Sequence, residues 1–140
     1  MEDNLFKWSF KKNQDNFIYD TLKELAESLK KESDEIFEPH VTIADIADNS
    51  RTYTFIVRIP ELSGFSLRIF EINTKNSTRN SEIVFHSSTK GDLSFKIGSK
   101  DNLVETINRI INEKEVVDEM STFINKVIIK RKQQQDFKSN

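Results

Sequence analysis

Cysteine is absent from this chain, which removes disulfides, thiolate nucleophiles and thiolate zinc sites and suits a reducing compartment. Glycine is scarce: Gly64, Gly91 and Gly98 stand too far apart for a phosphate-cradling loop, which needs several close together. Histidine occurs twice, as His40 and His86, so a histidine-rich metal centre is excluded. No apolar run approaches the roughly 20 residues that cross a bilayer. The first residues, MEDNLFKWSFKK, carry acidic groups where a secretory leader needs basic ones. These shortages together predict a cytoplasmic protein with no membrane association. Neither sign of charge dominates, with 21 basic and 23 acidic residues and a net charge of -2, so no overall basic character announces nucleic acid. What remains is an ordinary globular composition. Its 140 residues are enough for one real core, expected over residues 1–132, with QQQDFKSN (133–140) expected as a disordered tail.

The strongest pattern present lies between Arg51 and Gly98. Tyr53, Phe55, Val57 and Ile59 alternate with polar neighbours, and so do Phe65, Leu67 and Ile69, then Ile83 and Phe85, then Leu93, Phe95 and Ile97. Period-two alternation marks antiparallel strands with one face in a core. The spacing predicts strands over 51–59 and 65–72, a third from Glu82 and a fourth near Leu93. Pro60, Gly64 and Gly91 sit in the short connections, and 73–81 is expected to be the longest and most mobile loop. Short connections favour a meander. The segment Val41–Ala47 reads either as a fifth, edge strand or as a loop.

Two helical patterns flank this region. Ile18, Leu22, Leu25, Leu29 and Ile36 form one stripe of a helix capped by Asn13 or Asp15 and ended near Phe37 by Pro39. After a cap at Ser99 or Asp101, apolar residues at helical spacing run from Leu103 to Ile128, with a break signalled near Asn112–Lys114. An unbroken helix to Lys132 would be about 45 Å long, whereas an eight-residue strand spans about 26 Å. The surplus apolar length therefore either folds back or meets a second copy through Met120, Ile124, Val127 and Ile128. The fold expected is α+β, an antiparallel meander with terminal helices on one face, in the order α-ββββ-α.

Chemistry-bearing groups are thin. The even-numbered side of the strands carries Arg58, Arg68, His86 and Lys96, with Phe70 as an exposed aromatic among them. A cationic sheet face of that kind suits phosphate contact and base stacking on single-stranded nucleic acid, and it equally suits the solvated outer face of any antiparallel sheet. His40 with Glu38, Asp45 or Asp48 is a weak metal set, and His86 beside Ser87 and Ser88 lacks a placed acid and an oxyanion loop. Lys90-Gly91 has turn chemistry rather than a phosphate loop's. Asn76-Ser77-Thr78 matches a glycosylation pattern without a secretory signal. Phe6, Trp8 and Phe10 alternate ahead of the first helix, as an added strand or a partner-binding motif would. Lys126, Lys130, Arg131 and Lys132 complement a helix C-terminus. Charge is unevenly placed, with twelve carboxylates against six lysines in residues 1–50 and eight basic against four acidic groups in 51–100.

No catalytic residue, metal or cofactor is expected. The sequence favours a small protein-binding module, such as an adaptor, chaperone-like, immunity or inhibitor protein. Its candidate contact residues are Phe6, Trp8, Phe10, Arg58, Arg68, Phe70, His86 and Lys96. The competing reading is single-stranded nucleic-acid binding through the cationic face.

Overall fold

The computed structural model describes residues 5–9, 17–46, 50–75 and 77–138. In chain order the elements are α1 (Phe17–Glu32), β1 (Glu38–Ile46), β2 (Ser50–Ile59), a 3-10 turn (Pro60–Leu62), β3 (Phe65–Lys75), β4 (Ser77–Ser87), β5 (Gly91–Ile97), α2 (Lys100–Ile111) and α3 (Lys114–Lys138). The strands form one antiparallel sheet in the order β1-β2-β3-β4-β5, the expected meander with its fifth strand. Alternation does the sorting. Tyr53, Phe55, Val57, Ile59, Ile83, Phe85 and Ile97 are buried with Ile18 and Leu22 of α1 and with Leu103, Ile107 and Ile110 of α2. The helices thus share the odd-numbered side of β2, β4 and β5.

Several elements differ from expectation for local reasons. Helix α1 stops at Glu32, short of Phe37, because the Glu35 N–H donates to the Lys30 carbonyl (2.9 Å) and the Asp34 N–H to that of Lys31 (3.1 Å). This winding needs left-handed backbone at Asp34 (φ 51) and Glu35 (φ 64), which no glycine advertises. Ile36 and Phe37 still reach the core, from the bend and linker that lead into β1. The expected helix start at Asn13 or Asp15 lies outside the described residues. The polar run 73–81, expected as a long loop, belongs mostly to β3 and β4.

The long apolar stripe breaks where the sequence signals it, at Asn112 and Glu113, and α3 then folds back. Val116 and Val127 are buried, and Met120, Phe123 and Ile124 pack against the core. Phe123 stacks on Phe65 at 5.0 Å. Farther along, Arg131 Nε donates to the Glu61 carboxylate (2.8 Å) and Lys130 to the Glu61 carbonyl, fastening α3 to the β2–β3 turn. Three of the four residues suggested for a dimer contact therefore serve the chain's own core, which removes the observation that pointed to a second copy there. Residues 133–138 continue the helix rather than forming a loose tail. Glutamine and lysine are good helix formers.

Candidate functional site

The outer face of the sheet carries Arg58, Arg68, His86 and Lys96 of the residues expected to be functional, and it is not cationic. Register places Arg58, Arg68, Lys75 and Lys96 there, together with Glu38, Glu71, Glu82 and Asp92. His86 Nδ1 is 2.6 Å from Asp92 and its Nε2 is 4.0 Å from Glu71. Lys96 lies opposite Glu82, whose carboxylate also accepts from Ser94 (2.9 Å). Arg58 is 4.0 Å from Glu38, which is 2.8 Å from His40. Arg68 lies opposite Ile56, and Val84 opposite Ser94.

A β-bulge explains the largest error. Phe55 pairs with Phe70 while Ile56 pairs with Arg68, so Ile69 is the extra residue in β3. The bulge shifts the alternation by one. Phe70 turns into the core at 1% exposure, stacked on Phe55 at 5.3 Å, and Glu71 takes the outward place. An outer face without its aromatic and with four acids beside four bases loses the pattern that stacking on single strands requires.

The other candidate clusters do not assemble. His40 contacts Glu38, but Asp45 is bonded to Arg51 (2.6 Å), and Asp48 lies outside the described residues. Among the described residues no group of three or more histidine, aspartate or glutamate side chains could hold a metal ion. Ser87 is on the buried side of β4, away from outward His86, and both Ser87 and Ser88 donate to Glu115 at the start of α3. Those donors, Ser87 first, hold the Glu115 carboxyl below its ordinary value. Lys90-Gly91 is a hairpin turn with Gly91 at φ 76. Asn76 lies outside the described residues. An apolar pocket of about 200 Å³ sits between Leu25, Leu29, Phe55, Ile69, Ile111 and Met120. That is below the roughly 300–1,000 Å³ of small-molecule sites.

Sequence reasoning gave too little weight to the free edge of β1. This nine-residue strand has β2 on one side and, among the described residues, no strand on the other. Thr74 Oγ1 donates to the Arg51 carbonyl, so the odd residues of β2 direct their backbone groups toward β3 and the even ones toward β1. His40, Thr42 and Ala44 are paired with those even residues. The backbone N–H and C=O of Val41, Ile43 and Asp45 therefore face the open side, as does Pro39, whose ring nitrogen has no hydrogen to donate. Burial fades along the strand, and Ile43 (44%) and Ile46 (57%) are exposed on opposite faces. The one charge in Thr42–Ile46 is Asp45, whose bond raises the affinity of Arg51 for its proton, with Tyr53 contributing after it.

Of the aromatic segment, Phe6 (73%) and Trp8 (77%) are exposed and Phe10 lies outside the described residues. No helix of the described residues is long and apolar enough to cross a membrane. Comparison of the chain with known protein families, with curated proteins and with solved structures finds no match.

Proposed function

We propose that this protein is a non-enzymatic protein-binding module that takes an extended segment of a partner protein onto the open edge of β1. One observation carries the reading: β1 offers three consecutive outward backbone donors and flanking exposed isoleucines, with no lysine or arginine along the strand. Natural edges are normally blunted by charged side chains, proline, bulges, covering elements or shortness, and in β1 Glu38, Pro39 and Asp45 stand near the two ends and leave Val41–Ala44 without any of these. Strand addition uses such an edge, drawing affinity from main-chain hydrogen bonds and specificity from alternate side chains.

Capture from native lysate by wild-type protein, Ile43→Pro and Ser94→Lys tests this. Ile43→Pro removes an outward N–H without removing a bond to β2, and Ser94→Lys alters the opposite edge strand. The reading expects one stoichiometric protein retained by wild type and Ser94→Lys and lost by Ile43→Pro. Retention by all three places the contact elsewhere. Nucleic acid in the eluate, released by salt and lost when Arg58, Arg68 and Lys96 are neutralised together, supports the competing class instead.

A further inference from the structure

The open edge of β1 is complementary to itself. Its outward backbone donors and acceptors sit on Val41, Ile43 and Asp45, evenly spaced about Ile43. We infer that two copies of this chain pair edge to edge, β1 antiparallel to β1 across a two-fold axis at Ile43, so that two five-stranded sheets join into one of ten strands. The inference rests on the reading of β1 as an acceptor of an extended strand, and it names a second copy as the occupant.

Register selects the axis. Centred on Ile43, Val41 of each copy lies opposite Asp45 of the other and Ile43 lies opposite itself. All of these are outward-facing residues, so every outward N–H meets an outward carbonyl. Centring on Val41 or Thr42 draws Pro39 into the ladder, where it has no hydrogen to give. Centring on Ala44 runs Val41 past the end of the other β1. Centring on Asp45 sets that carboxylate against its own copy, and like charges directly opposite are unfavourable. The side chains suit the chosen register. The two exposed Ile43 side chains meet on the inner face, small Thr42 and Ala44 face each other on the outer one, and exposed Ile46 gains His40 as its neighbour. There is also room. An open groove lined by α1, Asp34, Glu35 and Glu38–His40, with no residue of β2, runs along the free side of β1 at its start. Its walls carry carboxylates together with the cations Lys30 and Lys31, and the end of the second β1 brings Asp45 to it. A single strand pair is a small interface, so the dimer belongs to the weak class that assembles with rising concentration. An outside strand must displace the second copy.

The chain has no cysteine, so Ile43→Cys introduces a single thiol. At the axis the two copies of this position stand about 5.5 Å apart between Cα atoms, within the reach of a disulfide. In Ala44→Cys the thiol faces Thr42, and the two thiol-bearing Cα atoms lie beyond the roughly 7 Å limit. The test measures molar mass by light scattering, on full-length protein from low to high micromolar concentration, and covalent dimer in the two cysteine variants under mild oxidation. The expected result is a doubling of mass, lost in Ile43→Pro and in Ile43→Lys, with rapid cross-linking of Ile43→Cys and little of Ala44→Cys. Proline at the axis removes both central bonds at once, and lysine there sets two like charges together. Circular dichroism checks that each variant is folded, and whichever folds decides. A monomer throughout overturns the inference. So does a doubling that survives the folded Ile43 variants, or equal cross-linking at the two positions. If the protein stays monomeric while Ile43→Pro abolishes capture of an outside protein, the edge reading stands and this inference alone falls. Mass and capture both indifferent to Ile43→Pro overturn both.

Discussion

The two edges of the sheet are built differently. The β5 edge is short, at seven residues, and carries Asp92 and Lys96 on its outer side. Helix α2 guards its other side, with Arg109 lying over the Phe95 ring at 5.2 Å. The β4–β5 turn is further pinned by the Ser87 and Ser88 bonds to Glu115. The β1 edge is longer and ends in Thr42–Ile46, all exposed, where two isoleucines meet water. One sheet thus has one edge backed by a helix and a pinned turn and the other, among the described residues, left open. That asymmetry is what supports the binding function we propose, and it directs experiments to β1 rather than to the charged face.

Five substitutions can break or sharpen this contrast, beginning with the largest effect. Both edges hang on one core that depends on the bulge. Phe70→Ala should cost about 3–5 kcal/mol in urea unfolding, whereas Arg68→Ala should cost under about 1 kcal/mol. Equal losses would mean that Phe70 faces outward after all and that the sheet faces are misassigned.

The clamp on the β5 side makes a pH-dependent prediction. Because Ser87 and Ser88 lower the folded-state pKa of Glu115, its stabilisation is complete above the unfolded carboxyl value of about 4.3. It is lost as pH falls through the lower folded value. Glu115→Gln should therefore lower the melting temperature at neutral pH and shrink the difference from wild type as the solution is acidified below about pH 4. A difference that is constant with pH would show that the carboxylate's charge does not hold the turn.

Arg109→Ala should cost about 0.5–1 kcal/mol, the worth of an exposed cation–π contact. If Arg109 guards β5, the variant should also associate more readily at high concentration, as read by light scattering. Ile43→Lys should have the smallest effect on stability, within about 0.5 kcal/mol, since its side chain is already exposed. A loss of several kcal/mol would show that the outer part of β1 is core and not an edge.

Much of this architecture was legible in the residues and some of it was not. The odd-numbered alternation through β2, β4 and β5 is a clean period-two signal, and it placed the core correctly. In β3 the adjacent apolar pair Ile69-Phe70 and the passage from Leu67 to Ile72 mark a change of parity. That is how an inserted residue appears in a sequence, but the pair also reads as ordinary strand hydrophobicity. Missing it turned Phe70 outward and hid Glu71 behind the core. Glu38 was hidden separately, because β1 has mixed polarity at its edge and gives no firm period. With Glu38 and Glu71 unplaced, an outer face of balanced sign looked basic. The early end of α1 was illegible for a different reason, since left-handed backbone at Asp34 and Glu35 lacks the usual glycine. The break before α3 could be read from Asn112, but where the chain goes next depends on long-range contacts such as Phe65 with Phe123.

The account rests on β1 accepting a strand, and backbone amide hydrogen exchange tests that most directly. The amides of Val41, Ile43 and Asp45 should exchange fast in the isolated protein at low concentration, because they face the open side. In the complex with the captured partner the same three should become strongly protected, while the exposed end of β5 changes little. Unchanged exchange at Val41, Ile43 and Asp45 on complex formation would contradict the account.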